Sequence, residues 1–344
     1  MSGIKSRGLR IGEMGEFAFI RSIQEGSHFS PEGLIKGIGD DCAVIGPYQD
    51  RVFLITTDLL VEDIHFIWDR ISPVDLGQKA VAVNLSDIAA MGGIPRHLFL
   101  SLAIPPAMGV ETLHSFYQGI KAMCERYDTN VLGGDTSASP DGLTINVTAI
   151  GEARGDEVLF RSGAKAGDKI YLTGTLGDSA AGLRLIKEEF SAPAPLAAVL
   201  KEAHNRPQPQ VEAGRVIAQS GLATAMIDVS DGVLSDLGHV CGASGVGGIL
   251  FESALPISNS LKALAEINNF NPYELALSGG EDYQLLFTVP REDAGQFETI
   301  FQENSSSPIY CLGEITGEEG IKIVRPGGVR EEVKVEGFDH FSGR

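Results

Sequence analysis

Asp75-Leu-Gly-Gln-Lys-Ala-Val-Ala-Val-Asn-Leu-Ser-Asp-Ile-Ala-Ala-Met91 is apolar almost all the way round a helix. Leu76, Ala80, Val81, Ala82, Val83, Leu85 and Ile88 leave no solvent face, so the spacing predicts a buried helix. Pro73-Val74-Asp75 supplies its start, and Gly92-Gly93-Ile94-Pro95 stops it with glycine followed by proline. Asn84 and Asp87 lie three residues apart, on one face. A carboxylate inside such a helix needs a partner: an arginine, backbone donors, or a cation shared with other acids.

Outward from this helix, residues 52–57, 97–104 and 143–152 read as strands and 111–127 as a helix. Residues 14–27 read as a short amphipathic helix (Phe17, Ile20, Ile23) before a polar loop at 26–36. The small, polar Arg161-Ser-Gly-Ala-Lys-Ala-Gly-Asp168 then breaks the pattern. Beyond it come a strand at 169–174, a helix from about Asp178, and a further helix flanked by Pro193, Pro195, Pro207 and Pro209. A strand at 224–229, a helix at 231–243 and strands at 247–252 and 283–289 follow. The expected architecture is a two-domain α+β / α/β protein: a mixed-sheet domain over residues 1–152 and an α/β domain over 153–344.

Composition narrows the function. With 27 basic against 46 acidic residues the net charge is −19, which opposes binding to nucleic acid. Cys42, Cys124, Cys241 and Cys311 are widely spaced, so neither a zinc site nor a disulfide framework is expected. No apolar stretch suggests a membrane span, and a soluble cytoplasmic protein is expected.

What remains is a recurrent aspartate at the ends of apolar elements. Leu-Ile-Thr56-Thr57-Asp58 reads as a strand meeting a loop; Gly39-Asp40-Asp41, Gly133-Gly134-Asp135-Thr136 and Ile227-Asp228-Val229-Ser230-Asp231 repeat the theme. An aspartate turn accounts for Asp58 or Asp41 taken singly, and a helix N-cap accounts for Ser230 or Asp231. Together, and with Asp87, they suit Mg²⁺, which takes oxygen ligands and often keeps a substrate phosphate in its shell. Arg161 and Lys165 are candidate phosphate cations, or a solvated loop pair. The paired glycines before Asp135 and in Ser278-Gly-Gly-Glu281-Asp282 match no P-loop pattern. No Ser-His-Asp or Cys-His arrangement emerges, so neither a covalent nucleophile nor a general base is assigned.

Eight segments in order resemble the thiamine-monophosphate kinase family, which shares a superfamily with aminoimidazole ribonucleotide synthetase and selenophosphate synthetase. They are Gly37-Ile-Gly-Asp-Asp41, Thr56-Thr-Asp58, His65-Phe66, Lys79 to Gly92, Gly133-Gly-Asp-Thr136, Arg161 to Lys165, Ile227 to Asp231 and Ser278 to Asp282. The resemblance extends from Gly15-Glu16-Phe17 to Gly337-Phe338-Asp339-His340-Phe341. It implies an aminoimidazole ribonucleotide synthetase-like fold, with an N-terminal domain that binds ATP and Mg²⁺ and dimerises. The C-terminal domain would complete a cleft between the two. It also implies ATP-dependent phosphorylation of thiamine monophosphate to thiamine diphosphate with several Mg²⁺ ions, in a homodimer. Position for position, Asp41, Thr56, Thr57, Asp58, Asp87, Asp135, Asp228 and Asp231 would bind magnesium. Tyr117, Gly134, Asp135, Arg161 and Ser230 would bind ATP, and His65, Glu281 and Phe338 the thiamine substrate.

Three rivals stand beside this reading. Another superfamily activity would require the early reactive cysteine of selenophosphate synthetases or the C-terminal cysteine of hydrogenase-maturation members; here the first cysteine is Cys42 and the chain ends Phe341-Ser342-Gly343-Arg344. A sensor that binds ATP or thiamine diphosphate, its acids serving only to bind metal, would use the same ligands without turnover. A cation buffer would carry its acids in exposed loops.

Overall fold

The computed structural model describes residues 11–24, 27, 29–30 and 32–333. In chain order, α1 (Ile11–Met14) and α2 (Glu16–Gln24) precede β1 (Leu34–Lys36), β2 (Ala43–Tyr48) and β3 (Arg51–Val61). The helix α3 (Pro73–Ala90) leads to β4 (Ile94–Ile104), α4 (Val110–Arg126), β5 (Asn130–Ala138) and β6 (Thr144–Arg154). These strands form a six-stranded mixed sheet in the order β1-β2-β3-β6-β4-β5.

Helix α3 lies on one face of that sheet and behaves as its composition requires. Ser72 Oγ accepts from Asp75 N at 3.1 Å, and Pro73 occupies the first turn. At the other end Gly92, at φ 69°, lets Gly93 N reach Ile88 O at 2.8 Å, which closes the last turn. Leu76, Leu85 and Ile88 are fully buried. Backbones of α3 and α4 touch: a Cβ on Gly77 would stand 2.1 Å from Phe116 O, and one on Gly119 only 1.9 Å from Val74 O. Glycine is required at both positions by that approach.

After residue 168 come β7 (Lys169–Thr173), α5 (Asp178–Ile186), α6 (Ala194–Asn205), α7 (Val211–Ser220), β8 (Ala225–Asp228), α8 (Val233–Ser244) and β9 (Gly247–Phe251). Then follow α9 (Asn259–Asn268), α10 (Pro272–Ser278), β10 (Leu285–Val289), α11 (Ala294–Asn304), β11 (Ile309–Thr316), β12 (Gly320–Val324) and β13 (Arg330–Val333). A seven-stranded sheet has the order β13-β12-β9-β11-β7-β10-β8, with only β12 and β9 parallel. β7, β8, β9 and β10 are buried on both faces, and the alternation divides their side chains. Tyr171, Met226, Leu285, Phe287 and Val289 join the core that holds α3; Ile170, Leu172, Ala225, Ile227 and Leu286 face a second core with α5, α8 and α9. The α3 core is thus continuous from the first sheet to the second. Among the described residues no helix is long and apolar enough to cross a membrane.

Two expectations need correction. Asp58 does not close a strand, because β3 continues to Val61 and pairs Asp58 with Val147. Gly133-Gly134-Asp135-Thr136 does not end an element either; it lies within β5, an edge strand exposed along its whole length. The face of the first sheet away from α3 is also open, with Phe53, Leu59 and Phe99 exposed.

Candidate active site

Three elements deliver carboxylates to one point. Asp41 arrives from the loop before β2, Asp87 from α3 and Asp228 from the last position of β8; each offers an oxygen, all within 4.8 Å of one another. Thr56 on β3 donates to Asp87 Oδ2, and Ser86 on α3 donates to Asp228 Oδ2 at 2.6 Å. Asp41 Oδ1 accepts from Arg161 Nε at 3.0 Å and also from its terminal nitrogen. Asp41 Oδ2 is buried without a hydrogen-bond partner.

This cluster is short of positive charge. Burial pushes the Asp41 carboxyl up to about 7, with Arg161 opposing the shift and Asp228 adding to it. Burial likewise raises Asp58 and Asp228 to about 6. Asp87 is carried well above the carboxylate range by burial, then by Asp58, Asp228 and Asp41. An orphaned buried oxygen facing crowded carboxylates fits a hard cation with oxygen ligands. A stability consequence follows. Between about pH 4 and 7 the folded, metal-free protein keeps protons that the unfolded chain has released, so its stability falls as pH rises. In a chelator, the melting temperature is expected to drop from pH 5 to pH 8, and Mg²⁺ should raise it more at pH 8. A flat or rising profile would contradict the electrostatics.

Arg161 is committed to Asp41 here, and its backbone N–H donates to Asp40 Oδ1 at 3.2 Å. Lys165 is exposed, in the loop that follows. Asp231 joins a separate group with Asp236 and His239. Neither Ser230 nor Asp231 caps α8: the capping position is Gly232, while Asp231 N donates to Asp236 Oδ2 at 3.2 Å. Ser230 instead accepts from Glu281 N at 2.8 Å through its carbonyl. Thr57 turns to the open face, where it contacts Thr148 at 3.1 Å.

A pocket of about 90 Å³ lies between the loop at residues 63–67, α5, α6 and Glu281; His65 and Glu281 both line it, and the Glu281 backbone bond to Ser230 ties it to the loop that follows Asp228. Phe338 falls outside the described residues. The loop carrying Glu281 is constrained: Glu281 and Tyr283 have φ of 64° and 48°, and Asp282 between them accepts from Gly177 N and Ser179 N. Left-handed backbone at bulky residues marks a loop held in place by its surroundings.

Asp135, Gly134 and Tyr117 are not brought to the cluster. Asp58 pairs with Val147, Val147 with Leu100 and Leu100 with Gly134. Three strand spacings, about 14 Å, therefore separate β3 from β5 at this level. Asp135 also shares the open face with Leu59, since Leu59, Asn146, Ser101 and Asp135 pair in a row. Tyr117 packs edge-on against Phe116 on α4.

Sequence reasoning assigned no role to Ser86, Asp236, Lys79 or His204. Lys79 had a signal: it is the only basic residue in an all-apolar helix, and a buried lysine demands partners. His204, on an ordinary amphipathic helix, had none.

The family described as AIR synthase related protein, N-terminal domain, matches residues 39–153, and its C-terminal domain matches residues 165–325. Thiamine-monophosphate kinase of Escherichia coli (strain K12) is 39% identical over 332 residues, covering 95% of this chain and 98% of that one. That of Aquifex aeolicus is 37% identical, covering 97% of this chain and all of its own. A solved structure described as AaThiL complexed with AMPPCP and TMP superposes with a TM-score of 0.85 at 36% identity; it covers 97% of this chain and 100% of its own.

Proposed function

The chain belongs to the thiamine-monophosphate kinase family, and from that premise we propose that it transfers the terminal phosphoryl group of ATP to thiamine monophosphate, giving thiamine diphosphate. The observation that carries the reading is the convergence of Asp41, Asp87 and Asp228 around an unpartnered buried oxygen, with a pocket walled by His65 and Glu281 tied to the Asp228 loop through the Glu281–Ser230 backbone bond. Asp41, Asp58, Asp87 and Asp228 would hold Mg²⁺, with Thr56 beside Asp87; the Thr57 side chain faces away and Asp231 belongs to the neighbouring group with Asp236 and His239. Bound there, the ions neutralise repulsion between donor and acceptor phosphates and align them.

The acceptor phosphate has a second pKa of about 6, so it reaches the site ionised and no side chain need take its proton. Transfer is direct and in line, without a phosphoenzyme. Arg161, which bonds Asp41 here, and Ser230 would contact ATP. His65 and Glu281 hold the ring end of the thiamine substrate, with Phe338 packing on it. The reaction belongs in the cytoplasm, where ATP and reduced thiols coexist.

Asp135, Gly134 and Tyr117 enter this scheme through a homodimer. Two copies pairing their open apolar faces would cover Phe53, Leu59 and Phe99 and protect the β5 edge. Asp135, on the edge strand, would then be offered across the interface to the other copy's site and not to its own.

The test is product formation from ATP and Mg²⁺ with thiamine monophosphate or free thiamine as acceptor. Thiamine diphosphate from the monophosphate alone is expected. Absence of product from both would reject the reading, and label left on acid-quenched protein would reject direct transfer.

A further inference from the structure

Lys79 is fully buried on α3, and its ammonium has three protons for three acceptors. Glu281 Oε1 lies at 3.0 Å, His204 Nε2 at 3.4 Å and the backbone oxygen of His65 at 3.4 Å. An ammonium only donates, so Nε2 of His204 accepts and the ring proton sits on Nδ1. From there it meets Glu281 Oε2 at 3.2 Å and Ser179 Oγ at 3.1 Å. Burial, and then Lys79, push His204 down to about 4, which keeps the ring neutral. Burial alone would raise Glu281, but the Lys79 ammonium leads the groups that outweigh it and hold the carboxyl below its ordinary value.

Both oxygens of Glu281 are thus gripped, one from α3 and one from α6, on a loop whose backbone is already constrained. The same ammonium fixes the carbonyl of His65 on the facing wall of the pocket. We propose that Lys79 and His204 are positioning residues that hold Glu281 ionised and aimed into the pocket, so that binding of the acceptor's ring end depends on a charge network joining α3 to α6. This rests on the kinase reading for the identity of the acceptor; the network itself does not.

Two measurements separate the two. Nitrogen NMR of histidine-labelled protein, with His204→Gln for assignment, is expected to show His204 as a neutral Nδ1–H ring from pH 5 to 8 and to lose that signature in Lys79→Met. A charged ring or the other tautomer overturns the network whether or not the protein is a kinase. In steady-state kinetics, Lys79→Met should raise KM for thiamine monophosphate about tenfold, the loss of one buried charged hydrogen bond, and leave KM for ATP and kcat within about threefold. Because Lys79→Met removes a partner of Glu281, Glu281→Gln and the double variant are measured alongside. Adding Lys79→Met to Glu281→Gln should change KM by less than about twofold, because the pair acts as one unit. A further tenfold loss, or equal effects on both substrates, would show that Lys79 only supports the fold.

Discussion

Asp87→Asn is expected to reduce kcat by about 10²–10³, the cost of losing one preorganised charge at the reacting phosphates. Asp87 sits where Asp41 and Asp228 converge, and Thr56 already donates to one of its oxygens. Asparagine keeps the shape but replaces a ligand oxygen with an amide nitrogen that cannot bind a cation. The fold should not suffer. Repulsion from Asp58, Asp228 and Asp41 burdens the native carboxylate, so removing it relieves strain in the metal-free protein. The melting temperature in a chelator is therefore expected to hold or rise, while the increase on adding Mg²⁺ shrinks. Near-normal turnover at saturating Mg²⁺ would remove Asp87 from the ligand set.

The second large effect is a rescue. Asp58→Asn and Asp135→Asn homodimers are each expected to be nearly inactive. A heterodimer of the two, isolated through different tags, should recover about half the wild-type rate per dimer, because one of its two sites keeps both residues. The reason is the register of the first sheet, which sets Asp58 and Asp135 about 14 Å apart and on opposite faces within one copy. If both residues served the same copy's site, neither site in the heterodimer would be whole and the activity would stay at the level of the parents.

Helix α3 was legible from its apolar surface and its caps because both are local. The convergence of Asp41, Asp87 and Asp228 was foreseeable in kind, since buried acids need a shared partner, and the resemblance named all three. The extent of β3 was not legible. Thr56, Thr57 and Asp58 interrupt the apolar run, and only the tertiary fold shows Leu59 on the open face while Asp58 lies on the α3 side. Gly133-Gly134-Asp135 read as the end of an element, yet pairing with β4 draws these glycines into a strand, as context overrides propensity. The helices α9 and α11 and the strands β11 and β12 carry too little chemistry to have drawn notice. The contact of Lys79 with His204 spans 125 residues and no local pattern announces it.

The core around α3 draws Val211, Ile217, Phe287, Phe297 and Phe301 from beyond residue 168 together with Leu54, Leu98 and Ile120 from before it. A chain cut at the connection between the sheets would leave each fragment with an apolar wall and no cover. The halves are therefore not modules. They cannot be exchanged between relatives one at a time, and a substitution under α3 in either half is felt by the other.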